Sequence, residues 1–213
     1  MENPVIIFGT GGLGRAALEI FESNNSVVYG FLVDDKKQHN TEIDNIPVLG
    51  KTTDPAFLKL IGEKCEAFIA TDDSKEKQTL AEILISKRKV MPTNAIHQSA
   101  FIAKSAVMGH GNFLNAGVTL GAATDIGNHC ILHSGSTVDH GATMGDFVQI
   151  GAGATVSANV SLGENAFVGA GVVIVSGVTI GKNARIGAGS VVIADVAKGA
   201  TVFGNPAQVV DNA

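Results

Sequence analysis

Every sixth residue from Ile96 to Val192 is aliphatic, without a miss. The series runs Ile96, Ile102, Met108, Leu114, Leu120, Ile126, Leu132, Val138, Met144, Ile150, Val156, Leu162, Val168, Ile174, Ile180, Ile186 and Val192. Val, Ile, Leu and Met make up roughly a quarter of the chain, so seventeen hits in succession are not a chance pattern. A period of six is neither the 3.6 of a helix nor the 2 of a flat strand. It is the hexapeptide repeat of a parallel β-helix.

In such a helix three hexapeptides close one triangular coil, and the aliphatic side chain points inward from each flat side. The following residue is Gly at Gly109, Gly121, Gly127, Gly145, Gly151, Gly163, Gly169, Gly181 and Gly187, which we read as corner positions with backbone conformations that favour glycine. The fourth residue after the aliphatic one is often small or β-branched (Ala142, Ala154, Ala166, Val172, Ser190) and should fill the interior. Stacked at strand spacing, just under six coils give a prism about 27 Å tall. Repeats of this kind wind left-handed, against the usual crossover rule. Only eight of the 102 residues from Ile96 to Ala197 are charged. The flat faces are therefore apolar and call for cover, which a three-fold assembly of triangular prisms would supply.

The 213 residues suffice for two small domains, expected at 1–92 and 93–213. A net charge of −5 gives no basis for nucleic-acid binding. The cysteines, Cys65 and Cys130, fall in different domains and match no redox or zinc spacing, so both are expected as buried thiols. Met1-Glu2-Asn3-Pro4 lacks a basic leader, the apolar run after it spans only Val5 to Phe8, and no run reaches membrane-spanning length. The expectation is a cytoplasmic protein without membrane insertion.

Before the repeat, strand and helix patterns alternate, which implies a small parallel α/β sheet. Strands are expected at 5–8, 27–33 and 67–70, an extended piece at 47–50, and helices at 15–23, 55–61 and 75–86, the last capped by Asp73 or Ser74. Gly9-Thr10-Gly11-Gly12-Leu13-Gly14 fits G-x-G-x-x-G between the first strand and helix, and Asp34-Asp35 ends the next strand about twenty residues on. This is a Rossmann-like signal: a helix N-terminus offers N–H groups to a phosphate, and carboxylates stand near ribose or base. The domain is half the size of a full dinucleotide fold, which favours a single nucleotide.

The six histidines are His39, His97, His110, His129, His133 and His140. In Val138-Asp139-His140-Gly141, the imidazole falls on a corner and should project outward, with Asp139 beside it to orient or charge-stabilise a general base. Zinc ligation by His97, His129, His133 and His140 is the rival use, but the spacing lacks the paired histidines such sites show.

Taken with Phe31-Leu32-Val33-Asp34-Asp35, Phe68-Ile69-Ala70-Thr71-Asp72-Asp73, Met144-Gly145-Asp146-Phe147-Val148-Gln149 and Gly204-Asn205-Pro206-Ala207, these motifs make nearly the whole chain resemble one family. It is that of the nucleotide-sugar acetyltransferases that join a small Rossmann-like domain to a left-handed β-helix, as in bacterial UDP-4-amino-sugar N-acetyltransferases and sialic acid O-acetyltransferases. The resemblance implies a homotrimer with active sites at subunit interfaces and acetyl-CoA in the groove between neighbouring β-helices, contacting Gln149, Ala170 and Ala188. It implies a nucleotide sugar held by Gly11, Gly12, Leu13, Asp34, Asp35 and Thr71, with His140 as general base in a direct transfer and no metal. Lys182, Arg185 and Lys198 are candidates for the CoA phosphates.

The chain departs from the family pattern at several points. Gly141 stands where a carboxylate commonly follows the histidine, Gln149 where His is common, His133 for Asn, Leu13 for His, and Gln208 where a cation usually follows Pro206-Ala207. N- and O-acetylation, the identity of the base, and a non-catalytic nucleotide-sugar-binding homologue all stay open at this level, as does a zinc hydratase.

Overall fold

The computed structural model describes residues 3–210, so Met1 and Glu2 of the N-terminal stretch read above lie outside the described residues. The chain divides into two compact units, Met1–Gln98 and Ser99–Ala213.

The first unit is an α/β sheet. Its elements are β1 (Val5–Phe8), α1 (Gly12–Ser23), β2 (Val28–Leu32), β3 (Glu42–Ile43), β4 (Ile46–Gly50), α2 (Pro55–Leu58), β5 (Glu66–Ile69) and α3 (Ser74–Ile83). The strand order is β3-β4-β2-β1-β5. Every pairing is parallel except the β3–β4 hairpin at the edge. All four residues of β1 are buried, as a central strand covered on both faces requires. From α1, Ala17, Leu18, Ile20 and Phe21 pack inward, and Phe21 meets Phe68 edge-to-face at 5.7 Å.

Three elements differ from expectation. The β3–β4 hairpin was not foreseen; Asp44 and Asn45 both take positive φ (51° and 67°), the demand of a tight two-residue turn. Helix α2 ends at Leu58 instead of Ile61, because Ile61 bridges to Cys65. Helix α3 begins at Ser74 with Asp73 as its cap, accepting from the N–H groups of Lys75 and Glu76, and passes into a π-helical turn over Leu84–Arg88.

The second unit is the repeat. Each two-residue strand pairs in parallel with the strand eighteen residues on, as in Leu120↔Val138↔Val156↔Ile174↔Val192. Three faces result. One runs from Phe101–Ile102 to Val191–Val192 and one from Val107–Met108 to Thr179–Ile180. The third rises through Phe113–Leu114, Ile131–Leu132, Gln149–Ile150, Phe167–Val168 and Arg185–Ile186 to Thr201–Gly204, where Ala207–Val209 folds back antiparallel. Every hexad aliphatic from Leu114 to Val192 is buried; Ile96, Ile102 and Met108, in the first turn, are half-buried. The small fourth-position residues lie inside as expected, with Ala142, Ala154, Ala166 and Ser190 fully buried. Past Val192 the period shortens: Val196 pairs with Ile180 and Val202 with Ile186, a spacing of 16.

The reason for the glycines requires correction. The residue with positive φ is the third after the aliphatic one, as at Gly135 (68°), Gly153 (65°) and Asn165 (58°). Most of the glycines immediately after the aliphatic residue are needed for a different reason: a Cβ there would strike the backbone of the next coil. At Gly169 it would lie 2.6 Å from the amide nitrogen of Ala188, and at Gly121 2.6 Å from that of His140. Close stacking of coils, not left-handed backbone, selects them. Cys65 and Cys130 are buried free thiols, as expected.

Candidate active site

The glycine loop forms one wall of a cleft of about 360 Å³ in the first unit. Gly9 (φ 108°) turns the chain out of β1, and a Cβ on it would meet the carbonyl oxygen of Ala70 at 2.6 Å. Gly14 packs on the carbonyl oxygen of Gly9, which fixes the entry of α1 against the strand. Gly11 and Gly12, by contrast, face open space. Gly11 is the N-cap of α1 and offers no side-chain cap, so the first-turn N–H groups and the helix dipole are presented to the cleft. Such an end is suited to a phosphate.

Gly11, Gly12, Leu13 and Thr71 line this cleft, together with Thr10, Val33, Asp72 and Glu76. Asp34 and Asp35 do not line it. The Asp34 carboxylate accepts from the N–H and hydroxyl of Thr52 at 3.1 and 2.9 Å. Asp35 caps the short turn Lys36–Gln38, and the Lys37 N–H and then the Gln38 side chain hold its carboxyl below the usual range. Asp72 and Glu76 were not singled out by sequence. Their signal is that Asp72 follows Thr71 at the end of β5 and Glu76 stands four residues on, one turn into α3, where its carboxylate accepts the Thr71 hydroxyl at 2.6 Å.

His140 occupies a corner of the β-helix whose equivalent positions are Ala122 one coil below and Ala158 one coil above. The coils are tied through the corner backbone: Gly141 N–H donates to Ala122 O, and Asn159 N–H to His140 O. Small neighbours leave the imidazole standing clear, 61% exposed. Asp139 Oδ1 lies 2.7 Å from the His140 N–H and 3.0 Å from its Nδ1. These two contacts, the backbone one first, hold the Asp139 carboxyl below its ordinary range, so it is ionised near neutral pH. With Nδ1–H donating to the carboxylate, Nε2 carries the lone pair and points away, which is the arrangement of a general base with its orienting acid. Gly141 takes positive φ (67°), and a Cβ there would collide with Asn159 Oδ1. The equivalent positions one coil below and above, Ala123 (φ 56°) and Asn159 (φ 58°), carry side chains in the same backbone conformation, so the corner itself does not demand glycine at 141.

Ala170 and Ala188 lie on another corner, where Ala116-Gly117, Ser134-Gly135, Ala152-Gly153, Ala170-Gly171 and Ala188-Gly189 stack as a ridge of small residues. The N–H groups of Ala170 and Ala188 are fixed backbone donors with no partner among the described residues. Gln149 projects from the adjoining third face. Among the described residues no group of three or more His, Cys, Asp or Glu could hold a metal ion, and no helix is long and apolar enough to cross a membrane.

Comparison with known proteins places these features in context. Residues 4–84 match the PglD N-terminal domain, and residues 141–175 and 159–194 match the bacterial transferase hexapeptide repeat. The chain is 30% identical to PerB from Caulobacter crescentus, solved in complex with CoA and GDP-perosamine, over 99% of each chain with a TM-score of 0.88. A histidine-to-alanine mutant of GDP-perosamine N-acetyl transferase from the same organism, with CoA and GDP-perosamine, matches at 29% identity over 100% of this chain and 99% of that one, with a TM-score of 0.90. The acetyltransferase domain of PglB from Neisseria gonorrhoeae, in complex with acetyl coenzyme A, matches at 27% identity over 99% of this chain and 100% of that one, with a TM-score of 0.90. No curated protein sequence matches significantly. The small α/β domain followed by a left-handed parallel β-helix, read from the hexad period, is the architecture these proteins share.

Proposed function

Because the chain belongs to the nucleotide-sugar acetyltransferases that join a PglD-type N-terminal domain to a left-handed β-helix, we propose that it transfers acetyl from acetyl-CoA to the amino group of a nucleotide-linked amino sugar. The expected acceptor is a UDP- or GDP-linked 4-amino-4,6-dideoxy sugar. The observation that carries this reading is the Asp139–His140 pair: an outward imidazole oriented through Nδ1, its Nε2 unspent. The sugar amine attacks the thioester carbonyl directly, Nε2 of His140 takes the proton released, and CoA leaves as the thiolate, to which that proton passes. No acyl-enzyme is needed. Gly11, Gly12, Leu13 and Thr71 hold the nucleotide sugar at the uncapped end of α1. Asp34 and Asp35 act at one remove, by shaping the loops beside that cleft. Ala170, Ala188 and Gln149 hold acetyl-CoA. Holding both substrates in register supplies much of the rate.

The catalytic assembly is a homotrimer, with active sites at the subunit interfaces. Supporting this are the nearly uncharged faces of the prism and the exposed Phe101 (63%), Val107 (58%) and Ile193 (58%) in the β-helical unit. Sedimentation equilibrium should return a mass three times that of the chain, and a monomer active at the same concentration would refute the assembly. His140→Ala should lower kcat by about 10²–10⁴ while leaving CoA binding and the melting temperature near wild type. Retained turnover would remove His140 as the base.

A further inference from the structure

We propose that the first unit carries a docking surface for an anionic phospholipid bilayer, built from Lys59, Lys64, Lys87, Arg88 and Lys89, with Ile85 and Met91 standing out beside them. None of these residues lines the glycine-loop cleft, and the surface would serve whatever reaction the chain performs.

Two segments distant in sequence are knit together here. Arg88 donates from Nε to Ile61 O at 3.0 Å and from Nη2 to Lys59 O at 2.9 Å. Val90 packs on Gly62 so closely that a Cβ on that glycine would lie 2.5 Å from its Cγ2. Residues 59–64 are thereby held against residues 84–91. The two segments carry five cations and one carboxylate, in a chain whose net charge is −5. That carboxylate, Glu63, is spent on Arg88 at 3.1 Å. Of the acids nearby, Asp54 caps α2, Glu66 is half-buried at the head of β5, and exposed Glu82 on α3 is left to offset the cluster. Lys59, Lys64, Lys87 and Lys89 are exposed and make no ion pair with a described residue. Lys87 also complements the carboxyl end of its helix. Lys59 and Lys64 come from a different element, so the helix dipole does not account for the cluster. Lys59, Lys87 and Arg88 border one depression of about 190 Å³, lined also by Thr53, Pro55 and Leu58. Three cations and a hydroxyl around a shallow hollow suit a phosphate group.

A second observation separates a bilayer from other anions. Ile85 is 42% exposed and Met91 40%, one on either side of the run Lys87-Arg88-Lys89. A soluble polyanion gains nothing from bare aliphatic side chains beside cations. An anionic bilayer uses both: its phosphates meet the cations within a Debye length, and the aliphatic ends enter the boundary between headgroups and acyl chains. Residues 59–64 and 84–91 contain no aromatic side chain, so a single-stranded nucleic acid would find no platform for its bases. Docking of this kind lies on the membrane and is reversible.

The test is co-sedimentation of the full chain with vesicles of phosphatidylcholine alone and of an equal mixture of phosphatidylcholine and phosphatidylglycerol. The chain should pellet with the mixed vesicles and not with the neutral ones, and should be released at about 1 M salt, where the screening length falls to about 3 Å. The double variant Lys87→Gln/Lys89→Gln should weaken binding roughly tenfold or more. Ile85→Gln and Met91→Gln should each weaken it severalfold. Arg88 is left intact because its bonds to Ile61 and Lys59 hold the two segments together, and an unchanged melting temperature confirms that the variants fold. Lys36→Gln/Lys37→Gln removes the same charge from another exposed turn of the unit and should leave binding within twofold of wild type. Binding to neither vesicle, equal binding to both, or equal loss in the two lysine pairs would overturn the proposal. So would a DNA duplex bound as tightly as the mixed vesicles, with Ile85→Gln and Met91→Gln without effect on either, since the surface would then recognise a soluble polyanion.

Discussion

In the Asp139–His140 pair, two adjacent residues on a corner place a carboxylate against an outward imidazole. The backbone N–H of His140 and its Nδ1 converge on one carboxylate oxygen, and these contacts hold the Asp139 carboxyl below its ordinary range. Replacing Asp139 by Asn should keep the fold and substrate binding but lower kcat, by less than the about 10²–10⁴ expected on losing the base itself. Steady-state kinetics on Asp139→Asn check this: a change confined to KM would make Asp139 a binding residue instead. This pair was legible in the sequence, because its partners are neighbours in the chain and the hexad register places residue 140 on a corner. The roles of Asp34 and Asp35 were less legible. The hydroxyl that engages Asp34 belongs to Thr52, eighteen residues away on the far side of a hairpin. Asp35 carried a local signal, a capping residue before a short turn, which the Rossmann pattern overrode. Gly141 could be recognised in the sequence only as a missing carboxylate; its positive φ is shared by Ala123 and Asn159 on the neighbouring coils, so the corner does not by itself explain the glycine.

The elements differ in how far they were written locally. The β-helix was readable because its inward set is fixed by a strict period, and each aliphatic residue meets its counterpart eighteen residues on. The reason for its glycines was not, since contact between one coil's corner and the next coil's backbone has no trace within a hexapeptide. In the α/β unit, the long central strands and α1 were found, whereas α2 lost its last residues to a bridge that depends on the tertiary pairing of Ile61 with Cys65. The glycine loop shows a division of labour. Gly14 is structural, packed on the carbonyl oxygen of Gly9, while Gly12 faces open space. Gly14→Ala should therefore cost about 1–3 kcal/mol of stability by overpacking, measured by urea unfolding. Gly12→Ala should stay within about 0.5 kcal/mol of wild type, yet weaken nucleotide-sugar binding by crowding the uncapped end of α1. Equal destabilisation by both would contradict the division.

At the scale of the molecule, the proposed function gives each unit one half of a two-substrate reaction. The α/β unit offers a cleft with an uncapped helix end, and the β-helix offers an oriented imidazole beside a rigid ladder with free backbone donors. The repeat suits this work because its corners are fixed by the stacking of coils, so a catalytic side chain on a corner is held by the architecture and not by a loop. The measurement that bears most directly on this account is release of CoA thiol from acetyl-CoA with a panel of UDP-, GDP- and CMP-linked amino and hydroxy sugars. The account predicts rapid release with a UDP- or GDP-linked 4-amino sugar, abolished by His140→Ala. Release with hydroxy sugars alone would contradict N-acetylation, and silence across the panel while acetyl-CoA remains bound would contradict the assignment of His140 as a working base.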